Sequence, residues 1–83
     1  MRVFEVEWDD AWVETGDFSV KRAQKCKPIR TTTIGYLVSE NEWGITLATD
    51  IYEKDKKNVK IINHIGWGMI VDYWEYEDAP LNG

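Results

Sequence analysis

Asp10, Trp12, Lys21, Arg22 and Lys25 place a carboxylate acceptor, an indole face and three cations within one short stretch. Such a set suits a nucleobase and its phosphate. Stacking on an aromatic ring contributes on the order of 1–3 kcal/mol per base, and the cations add attraction for phosphate. A mono- or cyclic nucleotide is therefore the small ligand these residues call to mind, although no glycine-rich phosphate cradle accompanies them. The plain alternative is a solvated, charged face.

Five tryptophans stand at positions 8, 12, 43, 67 and 74, an unusual load for 83 residues. Trp8 and Trp74 fall in strand-like runs, where large rings supply the buried area that a small domain lacks, and both are expected in the core. Trp12, Trp43 and Trp67 fall in loops or turns. An exposed indole is costly unless it meets something, so these three are candidate contacts for a ligand or partner, with anchoring of a loop as the alternative.

Other chemistry is thinly represented. His64 is the sole histidine, and no motif ties it to Cys26 or to a serine as a proton shuttle would require. It reads as a hydrogen-bonded structural residue. Cys26, alone, excludes an internal disulfide and reads as a spare thiol beside lysines. The pairs Asp9/Asp10 and Glu40/Glu42 lack the spacing and glycine of a calcium loop. No catalytic residue, metal ligand or cofactor is therefore expected, and an enzyme is the least favoured class.

The elements that must carry these residues are mostly strands. Val3 to Trp8 alternates, with Phe4, Val6 and Trp8 on one side and Glu5 and Glu7 on the other, and Asp9-Asp10 is expected to close the strand. Thr15-Gly16-Asp17 signals a turn before a short helical turn within Phe18 to Gln24, which Pro28 stops. Ile29 to Val38 is rich in β-branched residues, and Gly35 marks the place for a bulge or bend. Ser39 to Gly44 is a turn, Ile45 to Tyr52 a third strand and Val59 to His64 a fourth. Ile65-Gly66-Trp67-Gly68 makes one tight turn before a fifth strand, Met69 to Tyr76. That strand is apolar on both sides, the mark of a central strand or of a subunit contact.

These readings make residues 1–76 one mainly β domain, a strongly bent five-stranded small barrel with a short helical turn in its first long loop, and residues 77–83 a flexible tail. A chain of this length buries only roughly 60–65 % of its unfolded surface, which leaves little room for a cofactor cavity and makes self-association attractive. No apolar run is long enough for a signal peptide or a membrane span, so a cytoplasmic location is expected. The net charge of −5, from 15 acidic and 10 basic side chains, disfavours a broad positive field for nucleic acid. The charge is polarised, however. Residues 21–30 hold Lys21, Arg22, Lys25, Lys27 and Arg30 without an acid, whereas residues 5–17 hold six acids without a base. Such polarity can seat an anion or pair one subunit with the next.

The order strand, long loop, bent strand, hairpin, strand, single helical turn and strand resembles an SH3-like or Sm-like small barrel. The opening Val6-Glu7-Trp8-Asp9-Asp10-Ala11-Trp12, the stretch Gly35-Tyr36-Leu37-Val38 and the strand Ile45-Thr46-Leu47-Ala48 are also similar to those of uncharacterised small proteins of phages and prophages. That resemblance implies a non-enzymatic accessory protein in the cytoplasm of a bacterial host. Host takeover or counter-defence would follow from binding a host protein or a small signalling molecule, the protein acting as a homo-oligomer. The alternative is an Sm-like or SH3-like nucleic-acid binder using residues 21–30. Salt dependence separates the two.

Overall fold

The computed structural model describes residues 2–55 and 57–77. Five strands form one antiparallel sheet: β1 (Val3–Asp10), β2 (Ile29–Glu40), β3 (Gly44–Ile51), β4 (Val59–Gly66) and β5 (Ile70–Glu75). Their spatial order is β4-β3-β2-β1-β5, so β4 and β5 are the two edges. The only helical pieces among the described residues are α1 (Val20–Ala23) and a 3₁₀ turn at Trp67–Met69. The mainly β class and the five strands match the sequence-based expectation. The sheet is open and not closed into a barrel.

Register explains which side of the sheet is dry. Phe4, Val6 and Trp8 lie opposite Gly35, Thr33 and Thr31, and the same face of β3 and β4 presents Ile45, Leu47 and Ile65. Phe4, Val6, Ile45, Leu47 and Ile65 form the buried cluster, with Trp8, Leu37, Trp67 and Ile70 packed against it. Alternation in β1 thus translates directly into burial. The indole N–H of Trp8 donates to Thr33 Oγ1 at 2.9 Å, so its half-buried polar atom is satisfied.

Two glycines permit close backbone approach. A Cβ on Gly35 would stand 2.7 Å from the Ala48 carbonyl oxygen, and one on Gly44 would stand 2.1 Å from that of Ile65. Gly35 therefore serves strand contact. The irregularity in β2 lies between Leu37 and Ser39 instead, where the register against β3 shifts. A further departure is Ile61, whose φ of 56° puts a β-branched residue in the left-handed region just where the β3–β4 register skips a pair.

Several boundaries and placements differ from expectation. Asp9 and Asp10 continue β1 to pair with Arg30 and Ile29, because the Arg30 guanidinium bonds Asp9 at 2.6 Å and Glu7 at 2.9 Å and holds the strand ends together. The same pairs raise the pKa of Arg30 above its ordinary value. The β2–β3 turn is tighter than Ser39 to Gly44, since β2 runs on to Glu40 and β3 starts at Gly44. The fifth strand is an edge strand beside β1, which removes the central-strand reading. Trp74 is not core: it lies opposite Glu5 on the face away from the buried cluster and is 40 % exposed. Of the expected tail, residues 78–83 lie outside the described residues.

Candidate functional site

The long β1–β2 connection, residues 11–28, is exposed throughout, yet it is ordered by specific bonds. Ser19 caps α1 by accepting from the Arg22 backbone N–H at 3.1 Å, the favoured role of serine at a helix start. The Trp12 indole N–H donates to the Lys27 carbonyl at 2.7 Å, which ties the start of the loop to its end. Arg22 lies over the Phe18 ring, 4.5 Å from its centroid, and bonds Glu14 at 3.2 Å. These ties border an open cleft of about 400 Å³ lined by Trp12, Glu14, Phe18, Arg22, Cys26 and Lys27, with Ala11, Ala23 and Pro28 completing the wall.

Of the residues singled out in the sequence, Trp12 and Arg22 meet in this cleft. Lys21 and Lys25 are exposed on the same loop but do not line it, and Asp10 lies at the end of β1 opposite Ile29. Among the described residues no hydrogen bond or ion pair engages the side chains of Lys21, Lys25 or Lys27. Phe18 and Glu14 join the cleft without having been singled out in the sequence, and Lys27, named there only within the basic run 21–30, lines it as well. Phe18 carried a usable signal, an aromatic residue in an exposed polar loop, whereas Glu14 and Lys27 depend on loop closure that no local pattern reveals.

Trp43 and Trp67 belong to a different place, the β2–β3 hairpin and the turn after β4. Trp43 is 69 % exposed. Trp67 is half-buried against the core, its indole N–H donating to the Asn41 carbonyl at 2.7 Å and its ring tilted against Tyr73. Its backbone N–H donates to the Trp43 carbonyl, so Trp67 clips the hairpin onto the sheet. Trp43 and Trp12 sit at opposite ends of β2 and do not make one site.

Among the described residues the acid–base pairs lie at or near the surface. His64 Nδ1 and Thr46 Oγ1 are 2.6 Å apart across β3 and β4. Arg2 grips Glu75 through two bonds of 3.0 and 2.8 Å, which lower the Glu75 pKa, and the Tyr76 hydroxyl donates to Glu5, which raises the Tyr76 pKa. Among the described residues no cluster of three or more His, Cys, Asp or Glu is arranged to hold a metal ion, and no helix is long and apolar enough to cross a membrane. No protein-family model matches the chain, and comparison with curated proteins and with solved structures gives no match.

Proposed function

We propose that this protein is a non-enzymatic binding protein that uses its sheet as a scaffold and the 11–28 cleft as its receptor. The observation that carries this reading is the cleft itself. Its volume lies in the range of small-ligand sites, and its aromatic and cationic side chains are held in place by bonds within the loop. The reading extends to an accessory role in a bacterial host, exerted by occupying a host protein or a small signalling molecule.

Self-association belongs to the same reading. Both sheet edges carry exposed apolar side chains, Ile61 and Ile62 on β4 and Val71, Tyr73 and Trp74 on β5. Sedimentation velocity across a concentration series should show an oligomer. A monomer at every concentration would remove this part of the proposal.

Native mass spectrometry of protein recovered from bacterial cells tests the receptor role. Wild type should retain a small molecule or a protein that Trp12→Ala loses, while equal cargo on both, or none on either, would contradict it. A second reading, nucleic-acid binding, draws on the unpaired Lys21, Lys25 and Lys27. It requires affinity that collapses between low and physiological salt.

A further inference from the structure

The cleft is selective in charge as well as shape. Its floor and walls are mostly carbon, from Ala11, Trp12, Phe18, Ala23 and Pro28. The Trp12 N–H is already spent on the Lys27 carbonyl, so the indole is fixed in place and offers its ring rather than a donor. A fixed aromatic wall lowers the ordering cost of binding a flat ring. Arg22 is committed twice, to the Phe18 face and to Glu14, and those two charges cancel. The lining residue whose charge is left over is Lys27, whose side chain has no hydrogen-bond or ion-pair partner among the described residues.

We infer, on the reading of the cleft as a receptor, that its ligand is a small planar aromatic monocarboxylate, ring against Trp12 and Phe18 and carboxylate on the Lys27 ammonium. A cation would meet Lys27. A nucleoside polyphosphate would bring more negative charge than one free ammonium offsets, and the loop holds no glycine-rich cradle for it. Neutral rings would gain the stacking and forgo the ion pair. Of the five residues behind the expected mono- or cyclic nucleotide, Trp12 and Arg22 line the cleft, whereas Asp10, Lys21 and Lys25 do not.

The test uses naphthoate and its neutral isostere naphthamide, titrated into the full-length protein by calorimetry. Cys26, exposed on the cleft wall, supplies a second readout through protection from alkylation. Naphthoate should bind about tenfold more tightly than naphthamide, as a charge-assisted hydrogen bond implies, and should slow Cys26 alkylation. Lys27→Met, which keeps the apolar stem, should erase the preference for the acid over the amide. Trp12→Phe should weaken both, and Trp43→Ala neither. Equal binding of acid and amide, or no binding at millimolar ligand, would overturn the inference. If naphthoate fails while wild type still retains a cargo that depends on Trp12, the ligand class is wrong and the receptor stands; if no such cargo exists, both fall.

Discussion

The β1–β3 sheet and the 11–28 loop are built on opposite rules. In the sheet, Val6, Ile45, Leu47 and Ala48 are fully buried and every strand between the edges is bonded on both sides. Over the loop no residue is buried, and order rests on a serine cap, one indole bond and one arginine clamped between a ring and a carboxylate. Stability resides in the first region, and the proposed recognition in the second. Segments with few buried contacts open at low free-energy cost, which is where ligand-binding elements are drawn from.

Substitutions in the sheet should break this contrast most severely. Leu47→Ala is expected to cost about 2–5 kcal/mol by leaving a cavity in the buried cluster, read as a lowered urea midpoint. Gly44→Ala should be at least as damaging, because its Cβ would collide with the Ile65 backbone. The loop should respond in the reverse manner. Trp12→Ala should abolish cleft binding and leave the unfolding free energy within about 1 kcal/mol of wild type, since surface changes rarely exceed that. A large stability loss at Trp12 would erase the distinction between the two regions.

Smaller effects sharpen it. Trp8→Phe removes the donor to Thr33 and should cost about 1 kcal/mol, the net value of one hydrogen bond. Ile61→Gly should raise stability by about 1 kcal/mol, because glycine adopts positive φ without the strain of a β-branched side chain.

The smallest effects concern pH. Glu75 has a lowered pKa, mainly through its bonds with Arg2, so its contribution is present above the unfolded carboxylate value and fades as pH falls through the folded one. Tyr76 has a raised pKa, mainly through Glu5, so its contribution is present below the unfolded phenol value and fades as pH rises through the folded one. Melting curves should lose stability on both flanks, with the acid flank reduced in Glu75→Gln and the alkaline flank in Tyr76→Phe.

Much of the sheet was legible because burial and alternation share one period. Phe4, Val6 and Trp8 point inward as their spacing demands, and the break at Pro28 is where local chemistry places it, whereas β4 runs past His64 to Gly66 and the turn before β5 falls at Trp67–Met69 rather than Ile65–Gly68. Strand ends were less legible. Asp9 and Asp10 look like terminators until Arg30, distant in sequence, pairs with Asp9 and Glu7. Trp74 looks like core because ring size says nothing about which face of an edge strand is covered. Trp12 and Arg22 were visible as chemistry, but their union with Phe18 and Lys27 depends on the 2.7 Å indole bond that closes the loop.

Hydrogen exchange of the full-length protein, followed by mass spectrometry with and without naphthoate, tests the division between scaffold and receptor most directly. The free protein should exchange slowly over β1, β2 and β3 and rapidly over residues 11–28, and the ligand should slow exchange in that loop alone. Uniform protection of the free chain, or ligand protection confined to the β2–β3 hairpin around Trp43, would contradict it.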